Sequence, residues 1–320
     1  MTVLSVRHVT TYSYKKPVRF GDHRIMFRPR DSYDQRLISS DLAITPKPRR
    51  VRWLHDVFGN CVAIASFSGE ADKLVFDSSI VLDHTPLNVP DYSIEDYARS
   101  YPFTYGAEEM PDLVRLIERQ YLDPGHLLDK WVKRFLIPGR FTDTGQLLMT
   151  MTYAIKEGFH YAHRHERGTQ DPCTTLDTMK GTCRDFAVLM IEAVRSLGLA
   201  ARFVSGYLHV PQVEGETYVG GGNTHAWCQV YLPGAGWVEF DPTNGIVGNR
   251  DLIRVAVARD PRQALPLSGT FFGNGADSQG MTVSVDVREM KPAQALDGSV
   301  ELSPEPARSP LAETEEVASA

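Results

Sequence analysis

Residues 181–198, GTCRDFAVLMIEAVRSLG, constrain this chain more than any other stretch. Apolar residues recur at Phe186, Ala187, Leu189, Met190, Ala193, Val194 and Leu197. That recurrence every three or four residues marks one buried face of a helix. Gly198 suits the position just past its end, and Thr182 with Asp185 reads as a T-x-x-D capping box at its start. Cys183 then falls in the first turn, where unpaired backbone N–H groups and the helix dipole favour an anion. Such a position stabilises a thiolate, and the same N–H groups can hold an oxyanion. Gly181 leaves room for a substrate backbone to approach. A free cysteine is more often a packing residue, so the decisive question is whether the chain also supplies a base.

Residues 223–245, NTHAWCQVYLPGAGWVEFDPTNG, read as two strands around a Pro-Gly-x-Gly turn. On the first strand Ala226, Cys228, Val230 and Leu232 share the apolar face, and His225, Trp227, Gln229 and Tyr231 share the other. On the second, Trp237, Glu239 and Asp241 lie together, and Pro242 ends the strand. A hairpin centred near Pro233 sets His225 opposite Asp241, whereas a four-residue loop at 233–236 sets them diagonally. An Asp beside a His fixes its tautomer and stabilises the imidazolium. A cysteine capping a helix, a strand histidine and an aspartate on the next strand form a Cys-His-Asp order.

Residues 1–95 read as a β-rich unit, with period-2 stretches such as LSVRHVTTYSY and KLVFDSSIVLD and a turn at 58–60. The basic stretches 28–36 and 45–50 read as solvated loops rather than an anion site. Residues 84–105, with three prolines, read as the connection into a second unit spanning 96–290. Helical patterning is expected over 111–121, 143–157 and 176–198, and strands thereafter. The Pro-, Glu- and Ser-rich residues 291–320 are too polar to build a core and are expected to be a disordered tail. The Gly-rich 219–223 lacks a following Lys-Ser/Thr, so it reads as a flexible loop and not a phosphate cradle. A net charge of −6 gives no reason to expect a nucleic-acid or membrane partner. No apolar run approaches the roughly 18 residues of a bilayer span, and the N-terminus lacks a secretory pattern. Cys61, Cys173, Cys183 and Cys228 form no C-x-x-C pair, which fits a reducing cytoplasm and gives no zinc site.

GTCRDFAVLMIEAVRSLGLAARFVSGYL followed by THAWCQVYLPGAGWVEFDPTNG resembles the bacterial transglutaminase-like superfamily. The likeness is dense over 145–248. It reaches into the β-rich N-terminal region and, at 260–287, into what look like the closing strands. Val188 stands where relatives often carry histidine, and Cys228 where a small or polar residue is usual. The resemblance implies an α+β fold, with an antiparallel β domain followed by a papain-like core of helices on an antiparallel sheet. It implies Cys183 as nucleophile, His225 as base and Asp241 as its orienter, with no metal or organic cofactor. Tyr161 is a candidate second oxyanion donor, Trp227 a candidate cleft wall, and Arg184 a residue that pairs with an acid or lines the cleft. The expected partner is a peptide or protein amide, hydrolysed rather than transamidated. A non-catalytic peptide-binding module on the same fold is the competing reading.

Overall fold

The computed structural model describes residues 2–86, 93–162, 164, 168–211 and 218–290. The expected tail, most of the run 163–167 and part of the loop 209–224 lie outside the described residues.

The N-terminal unit is built on one long strand, β1 (Thr2–Ile25). Its residues alternate in burial from Leu4 to Tyr14, which commits one face to a core. β2 (Gln35–Thr45), β3 (Arg50–His55), β4 (Cys61–Ser66) and β5 (Glu70–His84) join it in an antiparallel sheet with the order β2-β5-β1-β4-β3. β3 and β4 pair across the turn anticipated at 58–60, where Gly59 takes a positive φ of 74°. A register shift between Ser13 and Val18 interrupts the β1–β5 ladder, the kind of irregularity that bends a strand.

The chain continues through β6 (Ser100–Tyr101), α1 (Met110–Ile117), α2 (Leu127–Lys133), β7 (Thr142–Asp143), α3 (Thr144–Gly158), β8 (His160–Tyr161), α4 (Pro172–Thr178), β9 (Lys180–Gly181) and α5 (Cys183–Ser196). A second antiparallel sheet follows, formed by β10 (Ala201–Leu208), β11 (His225–Leu232), β12 (Gly236–Asp241), β13 (Ile246–Val247) and β14 (Leu252–Ala258), in the order β13-β12-β11-β10-β14. α5 packs on one face of this sheet, against Ala226, Cys228, Val230 and Leu232. The apolar face read from the strand is therefore the helix-covered one.

α5 is buried on more than its apolar stripe. Val188, Ile191, Glu192 and Arg195 are also enclosed, because α1, α2 and α4 pack around the helix. Glu192 and Arg195 form a fully buried ion pair at 2.8 Å. Glu192 also accepts from the backbone N–H of Gln120 and Tyr121, and Arg195 donates to the carbonyls of Leu116, Ala201 and Arg259. Such a pair is tolerated in a core only when its remaining polar atoms are satisfied in this way.

The last strands correct the expected organisation. β15 (Leu267–Phe272) and β16 (Ser278–Glu289) were expected to close the 96–290 unit, but both hydrogen-bond to β1 in the N-terminal sheet. The chain leaves that sheet after His84 and returns to it after β14. A strand's partner is set by which edge is open, which its own pattern does not encode. The expected connection 84–105 is also more than a spacer. Tyr105 is buried, its hydroxyl accepting from Ala200 N–H at 2.8 Å and donating to the Tyr231 carbonyl at 3.0 Å.

The two units share a continuous apolar junction. Leu4, Val6, Ile80 and Leu82 of the first sheet pack on Tyr207, Ile253 and Val255 of the second. The stretch 28–36, expected to be solvated, lies partly within that junction. Asp34 is buried and binds Arg254 and the Asn249 amide at 3.0 and 2.6 Å. Among the described residues, no helix is long and apolar enough to cross a membrane.

Candidate active site

Cys183 occupies the first turn of α5, at 6% exposure. The capping box ahead of it is part of a larger network. Asp185 is fully buried and accepts from Thr182 N–H at 2.8 Å and from the Thr182 hydroxyl at 2.9 Å. Arg164 grips the same carboxylate with two hydrogen bonds, at 2.8 and 2.9 Å, and Gln170 N–H adds a fifth at 2.6 Å. Asp185 thus ties the loop ahead of α4 to the start of α5. Arg164 is the described member of the His163–Arg167 run, and it is held by this ion pair.

Gly181 does not hold open a path for substrate, as the sequence reading expected. A Cβ there would lie 2.9 Å from Asp185 and 3.2 Å from Phe186, so the missing side chain makes room for the chain itself. Tyr161 pairs with Gly181 across the short parallel β8–β9 ladder, which brings it to the segment just before Cys183. Its ring lies 6.5 Å from that of Phe186. Arg184 follows Cys183 in the helix and is half-buried.

His225 begins β11 and is fully buried. Its Nε2 lies 2.8 Å from the Asp241 carboxylate. The β11–β12 ladder pairs Leu232 with Gly236 and Cys228 with Phe240. Continued by one step it sets Asp241 opposite Trp227, so the His-Asp contact is diagonal, within the reach of long side chains on one face. A three-residue loop produces this register, with Gly234 and Gly236 at positive φ.

Asp241 accepts two further hydrogen bonds, from Thr243 N–H at 2.9 Å and from the Asn244 amide at 2.9 Å. Asn244 went unread in the sequence because an Asn-Gly after Asp-Pro looks like ordinary turn chemistry. The same amide group holds the Gly-rich loop before the base: it accepts from Val219 N–H at 2.8 Å and donates to the Val219 carbonyl at 3.2 Å. Val285 of β16 adds a hydrogen bond to the Gly222 carbonyl at 2.9 Å. These anchors fix a segment expected to be flexible. Gly220 lies over the imidazole at φ 96°, and a Cβ there would sit 3.0 Å from His225 Nδ1.

Because a carboxylate only accepts, Nε2 carries its hydrogen towards Asp241. Nδ1 is buried without a hydrogen-bond partner among the described residues. Burial by itself pulls the imidazole pKa down. The charge and hydrogen bond of Asp241, with the Cys183 thiol alongside, outweigh it and raise the value to about 10. Burial pushes the Asp241 carboxyl up, but His225, Asn244 and Thr243 together bring it below its ordinary value. The structure therefore brings Cys183, His225 and Asp241 together.

Trp227 does not line an open cleft. It is fully buried, its ring stacked against His225 at 5.9 Å and packed among Val204, Leu208 and Leu252. Gly206, across the ladder from His225, makes that packing possible: a Cβ there would meet the Ile253 carbonyl at 2.1 Å and the Trp227 ring at 2.7 Å.

Asp123, His126 and Asp129 place their ligand atoms within 4.8 Å of one another. The Asp123 carboxylate is engaged by the backbone N–H groups of Leu127, Leu128 and Asp129, and Arg119 reaches Asp129 at 2.9 Å. These residues cap α2 rather than present a free ligand set.

The bacterial transglutaminase-like N-terminal region matches residues 4–83, and the transglutaminase-like superfamily core matches residues 139–242. The chain belongs to the bacterial transglutaminase-like family. The family core ends just after Asp241, so all three residues of the Cys183–His225–Asp241 cluster fall within it. An uncharacterised protein of Mycobacterium leprae is 28% identical over 88% of this chain and 98% of its own length. A protein-glutamine gamma-glutamyltransferase of Pseudomonas aeruginosa is 33% identical over 23% of this chain and 12% of its own. The transglutaminase-like fold recurs in a candidate cysteine protease from Cytophaga hutchinsonii, with a TM-score of 0.65, 19% identity and 91% of each chain covered.

Proposed function

We propose that this protein is a cysteine-dependent acyl transferase acting on peptide or protein amides, with Cys183 as nucleophile, His225 as acid and base, and Asp241 as its orienter. The observation that carries the reading is the division of the imidazole. Nε2 is held by Asp241 at 2.8 Å, Nδ1 is buried with no hydrogen-bond partner among the described residues, and the Cys183 thiol acts on the same ring, which leaves Nδ1 as the nitrogen to serve it.

The thiol proton passes to Nδ1, giving a thiolate and an imidazolium that Asp241 stabilises. The thiolate attacks the amide carbonyl carbon, and backbone N–H groups at the start of α5 hold the oxyanion. Nδ1 returns its proton to the leaving amine as the C–N bond breaks, which leaves a thioester on Cys183. The neutral imidazole then takes a proton from water, whose oxygen attacks the thioester. The acid is released and the thiolate restored. An acceptor amine in place of water gives transamidation. Hydrolysis is our reading of the outcome, because water needs no acceptor site of its own. Four free cysteines support a reducing, cytoplasmic setting.

Iodoacetamide labelling resolved by peptide mass spectrometry tests the nucleophile without a known substrate. Burial pushes Cys173 up to about 11, and burial holds Cys228 far above the ordinary thiol range. Cys183 is expected to label at pH 6–7 well ahead of both, and to lose that advantage in His225→Ala. Equal labelling of Cys183 and Cys228 in the folded protein would sink the proposal and leave the binding module as the better reading. Incubation of glutamine peptides with a primary amine then separates amine incorporation from simple hydrolysis.

A further inference from the structure

A cavity of about 350 Å³ lies where the loop after β1 meets the second sheet. It is distinct from the cysteine site. Gln229 on its wall is four residues beyond His225 on β11, roughly 13 Å away at the strand rise, and buried Trp227 fills the space between. That volume falls at the lower end of small-molecule pockets.

The charge of the cavity is unevenly satisfied. Arg254 is neutralised on both sides, by Asp34 and by Glu239. Arg202 faces the cavity from β10 and has no carboxylate partner among the described residues. Its Nε donates to the Gln229 side-chain carbonyl at 2.8 Å, and the Gln229 amide in turn donates to Glu239 at 2.6 Å. Its guanidinium carbon lies over the Trp237 ring, 4.0 Å from the centroid. The Nε bond and the ring contact hold the group in place, and among the described residues the terminal nitrogens have no hydrogen-bond partner. Burial lowers its pKa to about 9, with Arg254 adding to the effect and Glu239 opposing it. Arg30 and Tyr33 stand at the rim, Tyr33 at 84% exposure.

We propose that this cavity binds a small monocarboxylate, received by the terminal nitrogens of Arg202 with its flat or apolar body against Trp237. A guanidinium held in place presents two parallel donors that match a carboxylate. On the wall Arg202 offers its one charge to one carboxylate, while Arg30 at the rim donates to the Phe58 carbonyl. Glu239 and Asp34 on the same wall repel a dianion such as phosphate. Val255 and Val257 supply the apolar lining. The site does not depend on the acyl-transfer reading, because none of its residues touches Cys183 or His225.

Isothermal titration of the full chain with benzoate, and separately with inorganic phosphate, tests this. The expected result is saturable benzoate binding at one site per chain, weakened by about tenfold or more in Arg202→Gln and unchanged in Cys183→Ala. Phosphate is expected to give no saturable signal. Benzoate binding that is absent from the wild type, or that survives Arg202→Gln, overturns the proposal, as does phosphate binding of equal strength. If Arg202→Gln fails to fold, Trp237→Leu decides instead. Its binding is expected to fall, and unchanged binding overturns the proposal.

Discussion

Asp241 is shared by His225, Asn244 and the Thr243 backbone, with Asp241 and His225 themselves fully buried. That sharing makes the pair sensitive to pH in a definite direction. His225 is raised from 6.5 to about 10, so its contribution to stability is fully present below pH 6.5 and fades as pH rises towards 10. Asp241 is held below its ordinary 3.8, so its own contribution is present above that value and fades in stronger acid. The difference in stability between wild type and Asp241→Asn is therefore expected to be greatest between about pH 4 and 6.5, where breaking a buried pair costs about 3 kcal/mol. It should narrow steadily towards pH 10. Urea melts at half-unit pH intervals measure it, and a gap that stays constant to pH 10 would contradict the assignment. Activity in Asp241→Asn should fall further than stability does, because the variant no longer fixes which imidazole nitrogen faces the thiol.

At the scale of elements, the start of α5 depends on Asp185 more than a helix cap requires. The carboxylate holds Thr182, Arg164 and Gln170 at once. Asp185→Ala breaks a buried ion pair and is expected to cost about 3 kcal/mol, more than the ~1 kcal/mol usual for a lost cap. Amide exchange should rise over 168–182 before it rises in the rest of α5. A loss limited to a cap's worth, with no change in the loop, would refute that role. What could be read in advance follows the range of each interaction. The capping box, the stripe from Phe186 to Leu197 and the two faces of β11 all come from neighbours within a few residues, and all stand in the structure. The His225–Asp241 register turned on one residue of loop length and stayed open. Asn244, Arg164 and the clasp of Val285 on Gly222 draw on segments far apart in the chain, which local patterning does not see. Gly181 and Gly220 were visible as glycines, but which atoms they make way for was not.

At the scale of the whole molecule, the N-terminal sheet is joined to the second sheet through polar groups as well as apolar ones. β15 and β16 carry the chain back onto β1, so the sheet that begins the fold also ends it. His8 of β1 lies at the junction, completely buried, with Nδ1 3.0 Å from the Tyr207 hydroxyl and Nε2 3.0 Å from the Thr10 hydroxyl. Burial lowers its pKa to about 3, Asp77 only partly opposing it, so the folded protein holds the ring neutral where the unfolded chain would protonate it. The unfolded state then binds more protons than the folded one between those two pH values. Stability must fall as pH drops below 6.5, by about 1.4 kcal/mol for each unit from this residue alone. His23 and His84, also lowered mainly by burial, act in the same direction. His8→Gln keeps polar atoms for both hydroxyls but cannot take up a proton. It is expected to match the wild type to within about 1 kcal/mol at pH 8, the worth of one altered hydrogen bond, and to exceed it at pH 4.5. Thermal melts at the two pH values distinguish this from a purely structural role for His8, in which the variant would be weaker by the same amount at both. Because the same junction supports Gly222 through β16, acid that opens it should also raise exchange in the loop over His225 before the α5 helix unfolds.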